Sequence, residues 1–328
     1  MDAMEYLGRL VHRTPLVSSD SINRMAGKNV FLKMENKQKT GSFKLRGAAY
    51  KMSLLPDSKL RNGVIAASAG NHAQGVALAA KKRNITAKIY MPANTPAAKI
   101  ESTRSYGADI VLTGNSFQEA YDAAVKEENK YGGYFLHPFD DYDVMAGQGT
   151  VAFEMLQQEP FLDTIIAPVG GGGLISGVAI AAKHINPKIK VIGVQAKGAC
   201  AMYNNYHFPA SAPLSEVATL AEGIAVKRPG IHSSHVINKY VDDLLVVSDE
   251  EIAAAIIFML ERQKTLIEGA GAAALAALMK YKDSIPGGHC GLIVSGGNID
   301  FAKLVKIKEL SRNTQLLSEP YKQPMYSH

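Results

Sequence analysis

Tryptophan is absent from this sequence, and cysteine occurs only twice in 328 residues, as Cys200 and Cys290. Two cysteines with no metal-ligand partner at recognisable spacing exclude a disulfide scaffold and a cysteine-rich metal centre, and they fit a reducing compartment. Long apolar runs are missing too. Each is broken by glycine or charge, so no membrane partner is expected. The start, Met1-Asp2-Ala3-Met4-Glu5-Tyr6, has neither the basic region nor the apolar core of a signal peptide, and a cytoplasmic location is expected. Aromatics make up 7% of the chain and few of them stand among the basic residues. The formal net charge is +6 and the densest basic run is Lys81-Lys82-Arg83. A solvated helix end explains that run better than nucleic acid does. Common catalytic signatures are also missing: there is no His-Glu-x-x-His helix and no Gly-x-Ser-x-Gly. His232 and His235 stand three apart beside Pro229 and Gly230 without a third ligand, so they read as structural and no metal site is expected.

What is present is ordinary globular composition, 47% hydrophobic and 20% charged, in a chain long enough for one large or two modest domains. From Val64 onward short apolar strands alternate with helical runs. Strands are expected at Val64–Ala67, Ala87–Met91, Ile110–Leu112 and Tyr134–Leu136, with an Ala-rich helix over Asn71–Lys82. A second alternation follows Val144, with strands at Thr164–Val169, Lys190–Val194, Asp243–Val247 and Cys290–Val294. Val30–Met34 reads as a further strand before it. Such alternation means parallel sheets with helical crossovers. The stretch Tyr206 to Pro213 reads as a surface excursion, and the polar tail from Ser311 as a surface wrap or frayed end. Two open α/β units result, the first inserted after the N-terminal segment has begun the second. Ligands in such sheets sit at the carboxyl ends of strands.

Four turns lie at such ends or just before a helix. In Thr40-Gly41-Ser42-Phe43-Lys44-Leu45-Arg46, Ser42 is placed to cap a helix and Gly41 to let the backbone turn into it. Lys44 then falls in the first turn, where the helix dipole disfavours a positive charge and favours a nucleophilic amine. Gly170-Gly171-Gly172-Gly173-Leu174 follows a strand and opens a helix, so its amides suit an anion. It is neither a P-loop nor a dinucleotide fingerprint, which leaves a phosphate monoester or a tight structural turn. Ser68-Ala69-Gly70-Asn71-His72 offers donors suited to a carboxylate. Ser295-Gly296-Gly297-Asn298 closes an apolar strand, and Ser295 could meet a ring nitrogen. Glu268-Gly269 and Glu222-Gly223 add close-approach glycines. Taken singly, each also reads as plain structure: a solvated lysine, a helix cap, a buried histidine.

Taken jointly and in this order, these turns resemble those of fold-type II pyridoxal-phosphate enzymes, in the threonine dehydratase and serine racemase branch. The chain is most similar to the short catabolic threonine dehydratases. The resemblance runs nearly the full length and includes Ala146-Gly147-Gln148-Gly149-Thr150 and Val241-Asp242-Asp243. It implies an α/β, tryptophan synthase β-like fold of two open parallel-sheet domains with the cofactor between them. Residues 1–50 and 142–328 would form the large domain and 51–141 the small inserted one. It implies that Lys44 holds pyridoxal 5'-phosphate as a Schiff base and that Phe43 packs on the ring. Asn71 would bond the ring hydroxyl, Gly170, Gly171, Gly172, Gly173 and Leu174 would cradle the phosphate, and Gly223 and Ser295 would complete the cofactor site. Ser68, Ala69, Asn71 and His72 would seat the carboxylate of a small amino acid.

The implied reaction is α,β-elimination of L-threonine or L-serine to 2-oxobutanoate or pyruvate plus ammonia, with Lys44 removing the Cα proton. A neutral Ser295 makes the ring a weaker electron sink than an aspartate would, which favours elimination over transamination. A racemase is the alternative. Racemases of this branch carry a serine where this chain has Ala69, and their metal carboxylates correspond here to Gln195 and Ala201. A cysteine synthase relative is disfavoured by Phe43 and Leu45-Arg46. A non-catalytic binding subunit on the same fold is disfavoured by the intact Lys44. A homodimer or homotetramer is the family expectation.

Overall fold

The computed structural model describes residues 3–314 and residue 316. After helix α1 (Ala3–Leu7), Pro15 sets an extended backbone and strand β1 (Leu16–Ser18) follows. Helix α2 (Asp20–Ala26) ends on Gly27, whose N–H donates to the Asn23 carbonyl, and strand β2 (Asn29–Met34) pairs antiparallel with β1. Helices α3 (Lys44–Leu54) and α4 (Asp57–Leu60) then lead away from this pair.

A four-stranded sheet comes next, built from β3 (Val64–Ala67), β4 (Ala87–Met91), β5 (Asp109–Leu112) and β6 (Tyr134–Phe135). Its order is β5-β4-β3-β6 and every pairing is parallel. The crossovers are α5 (Asn71–Lys82), α6 (Ala97–Ser105) and α7 (Phe117–Tyr131). All four residues of β3 are buried, as expected of a strand covered on both faces.

Helix α8 (Tyr142–Gln158), capped by the Asp141 carboxylate on two backbone amides, returns the chain to the first sheet. There β7 (Thr164–Pro168), helix α9 (Gly173–Ile185), β8 (Lys190–Ala196), helices α10 (Ala201–His207) and α11 (Ile231–Tyr240) and β9 (Asp243–Val247) follow. Helix α12 (Asp249–Gln263) starts with a Ser248–Glu251 capping box. Helix α13 (Gly269–Tyr281), strand β10 (His289–Val294) and helix α14 (Leu304–Ser311) complete the described chain. This sheet has the order β1-β2-β10-β7-β8-β9, parallel throughout except for β1. The early strand β2 thus lies beside the last strand β10, which joins the two ends of the chain, and β10 and β7 form the central pair. Helix α13 is apolar and buried from Gly269 to Met279, with small residues that let it lie close to the sheet.

Two sequence expectations change here. Tyr206 does not begin a surface excursion: it lies in α10, and its hydroxyl donates to the Val241 carbonyl at 3.2 Å. The irregular stretch begins only at Phe208. Of the tail, Ser311 closes α14, and the reading of the chain beyond residue 316 lies outside the described residues.

Candidate active site

Lys44 stands at the first position of α3, beside the end of β10. Ser42 and Gly296 form an isolated antiparallel bridge, and the Phe43 N–H donates to the Ser295 carbonyl at 3.2 Å. Gly41, at φ +69°, makes the turn that allows this. The expected Ser42 cap is not formed. The N-cap is Phe43, without a side-chain bond, and the Ser42 Oγ is buried and unpartnered. A free donor of the first turn is met from elsewhere, because the Gly47 N–H donates to Gln148 Oε1 of α8 at 3.2 Å. Gln148 was visible in the sequence only as part of a shared motif, with no role attached.

The Lys44 Nζ donates to the Pro138 carbonyl at 2.9 Å and lies 5.3 Å from the Phe43 ring centroid. Burial lowers its pKa to about 8, against the opposing charge of Glu268. The direction matches the sequence argument. The cause is desolvation rather than the helix dipole.

One cavity is lined by Phe43, Lys44, Asn71, Phe139, Gln148 and Ser295, by Gly170 to Leu174, and by Gly223 and Glu268. Among the described residues no protein acceptor takes the N–H groups of Gly171, Gly172 or Gly173, at the start of α9. Gly172 adopts φ +102°, a conformation that favours glycine. The turn is braced from behind. Ser233 Oγ donates to the Gly171 carbonyl at 2.6 Å, and Asp140 accepts from the Ile231 and Ser233 amides at 2.9 Å. Gln195 Nε2 donates to the Val169 carbonyl at 3.1 Å while its Oε1 accepts from the Tyr203 N–H at 2.7 Å. Gln195 therefore serves the glycine turn. No group of three or more His, Cys, Asp and Glu among the described residues could hold a metal ion.

The second side of the cavity comes from the four-stranded sheet. Asn71 opens α5, donates through Nδ2 to Glu268 Oε1 at 2.6 Å, and accepts at Oδ1 from Asn298 Nδ2 at 2.7 Å. Its neighbours do not join it. Ser68 Oγ accepts from the Gly70 N–H at 3.2 Å, and neither Ser68 nor Ala69 lines the cavity. The His72 ring points the other way, with Nε2 donating to the Leu136 carbonyl at 2.9 Å. Burial lowers its pKa to about 3, with the Lys44 charge adding to the effect. Of the expected carboxylate seat, the side chain of Asn71 alone reaches the cavity. Phe139 lines the cavity as well, whereas Tyr206 and Ala225 do not. Glu268 is the residue that sequence reasoning passed over, since only its neighbour Gly269 drew notice.

Over residues 7–296 the sequence matches the family described as "Pyridoxal-phosphate dependent enzyme". The chain belongs to that family. It is 46% identical over 306 residues to the L-threonine ammonia-lyase of Thermotoga maritima, spanning 93% of this chain and 76% of that protein. It is 40% identical over 309 residues to the catabolic L-threonine dehydratase TdcB of Escherichia coli strain K12, spanning 94% of each. Its fold is similar to that of the processed threonine deaminase isoform 2 of Solanum lycopersicum (TM-score 0.92, 39% identity, 95% of this chain and 87% of that one). It is also similar to maize serine racemase (TM-score 0.89, 39% identity, 95% and 96%). As a pyridoxal-phosphate dependent enzyme of fold type II, the protein presents its candidate residues from both sheets: Lys44, the glycine turn and Ser295 from one, Asn71 from the other.

Proposed function

We propose that this protein is a pyridoxal-phosphate dependent ammonia-lyase that converts L-threonine, L-serine or both to the 2-oxo acid and ammonia. One observation carries the reading: a buried amine of lowered pKa, Lys44, shares a cavity with the free amides of a glycine turn and the hydroxyl of Ser295. The donor set fits the cofactor. Three amides without an acceptor at a helix start suit its phosphate, Lys44 its carbonyl, Ser295 its ring nitrogen and Asn71 its ring hydroxyl, with Phe43, Gly223 and Leu174 beside them. When bound, the cofactor supplies an electron sink for the pair left at the substrate Cα.

The chain's own residues do the rest. Lys44, with a pKa near 8 rather than the usual amine value, is available as a base near neutral pH and takes the Cα proton. The backbone amides of Ala69, Asn71 and His72 bind the substrate carboxylate, while Ser68, whose own N–H goes to the Tyr90 carbonyl, shapes the turn by accepting from the Gly70 N–H. The apolar wall at Phe139 keeps water from the reacting face. The β-hydroxyl leaves as water, and hydrolysis of the released product takes one water back and yields the 2-oxo acid and ammonia.

The racemase reading stands second, since a serine racemase is as similar in fold as the dehydratases. Inversion needs a second acid on the ring face opposite Lys44, and Ala69 carries no proton. The partition of L-serine between pyruvate and D-serine tests the two. Pyruvate should dominate, and faster D-serine formation would reverse the order. We further propose two domains, 1–50 with 142–328 and 51–141, in a cytoplasmic homodimer or homotetramer. The two cysteines are unpaired, which supports the reducing setting.

A further inference from the structure

An asparagine amide has one acceptor oxygen and two N–H donors, and its two ends exchange on a flip. At Asn71 both ends are already committed. The Oδ1 accepts from Asn298 Nδ2 at 2.7 Å and one N–H goes to Glu268 Oε1 at 2.6 Å. Asn298 is itself oriented, because the same nitrogen donates to the Thr40 carbonyl at 2.9 Å. A flip of Asn71 would set oxygen against the Glu268 carboxylate and nitrogen against the Asn298 amide nitrogen, losing both bonds. One Asn71 N–H is left over, on a residue that lines the cavity with Lys44. Glu268 reaches this place because position 296 is glycine: a Cβ there would collide with its Oε1.

We propose that Glu268 is a positioning residue of this active site, fixing the Asn71 amide so that its second N–H serves the cofactor's ring hydroxyl, and setting a negative charge opposite Lys44. The inference rests on the cofactor reading above. The charged groups facing Glu268 are Lys44 on α3, Lys99 on α6 and Glu222 in the turn 222–224. Glu222 is itself paired with both Lys99 and Lys303. Burial raises the Glu268 carboxyl to about 7, against the Asn71 hydrogen bond, so its charge changes across neutral pH. Once ionised, Glu268 opposes the burial that lowers the Lys44 pKa. Removing its charge must therefore lower Lys44 further.

Two variants separate the two effects. In Glu268→Gln the side-chain oxygen still accepts from Asn71, so the amide stays in place and only the charge is lost. In Glu268→Ala both are lost. The readout is uptake of pyridoxal phosphate by the full-length chain, followed by absorbance as a function of pH. Uptake by the amine tracks the neutral fraction of Lys44. Glu268→Gln should move the midpoint of the uptake profile down by roughly one pH unit and keep near-wild-type affinity. Glu268→Ala should show the same shift and lose about tenfold in affinity. Uptake profiles and affinities matching wild type in both variants would overturn the inference alone. Failure of the wild-type chain to take up the cofactor would overturn the functional reading and this inference with it.

Discussion

Gly172 has the most demanding backbone of the residues that line the cavity. At φ +102° an L side chain is strained by roughly 1–2 kcal/mol. An added Cβ would also lie 2.8 Å from that of Ser233. Gly172→Ala should weaken pyridoxal-phosphate binding at least about tenfold, read by cofactor titration. Unchanged affinity would remove the glycine turn from the site. His72 makes a different prediction. Its folded pKa of about 3 lies below the value of an unfolded histidine, so the unfolded chain binds one more proton between the two. The stabilisation from keeping it neutral is complete above about pH 6.5 and is lost as pH falls towards 3. Urea unfolding should show stability falling by up to about 1.4 kcal/mol per pH unit more steeply in the wild type than in His72→Gln across that window. Parallel curves would contradict it. Lys44 and the glycine run were legible in the sequence because their residue types are unusual at a helix start. Glu268 and the bond made by the His72 ring were not. Each depends on a partner, Asn71 in one case and the Leu136 carbonyl in the other, brought near only by the fold.

Helix α3 carries Lys44, and a buried ion cluster fixes it. Arg46, two residues on, is fully buried and bonds to Glu35 of the turn after β2 at 2.8 Å and to Glu154 of α8 at 2.7 Å. Lys33 of β2 joins Glu154 at 2.6 Å. Burial works against the Arg46 charge, but Glu35 and Glu154 outweigh it and hold the group protonated. Cutting one member leaves uncompensated charge in the core, at a cost of about 3–5 kcal/mol. Arg46→Leu should therefore lower the unfolding free energy from urea titration by that amount and reduce cofactor occupancy, and a loss within experimental error would show that α3 is held by packing alone. Most elements were readable from sequence, since the buried runs of β3 and β7 are short and apolar and the crossover helices periodic. Helices α10 and α11 were missed because their aromatic and polar residues are held by partners distant in sequence, such as Val241 for Tyr206 and Tyr142 for His232, rather than by a long apolar stripe.

Across the whole molecule, the cavity draws on both sheets, with Lys44 and Ser295 on one side and Asn71 on the other. A cofactor that binds only when both are folded should couple them. Thermal unfolding should be raised by pyridoxal phosphate, with stabilisation of about 2.7 kcal/mol when the cofactor is at a hundred times its dissociation constant. No change would separate the cofactor from the cavity. The inserted order of the sheets was legible because β2 is an isolated early strand, whereas its pairing with the last strand β10 could only be seen in three dimensions.

We propose that Lys44 performs proton removal in an elimination from L-threonine. The most direct test is 2-oxobutanoate and ammonia release by the purified full-length chain with pyridoxal phosphate, beside Lys44→Ala. The wild type should form the two products in equal amounts, and Lys44→Ala should form none while keeping its fold. Equal turnover by Lys44→Ala, or a wild type that binds the cofactor yet leaves both L-threonine and L-serine intact, would contradict the account.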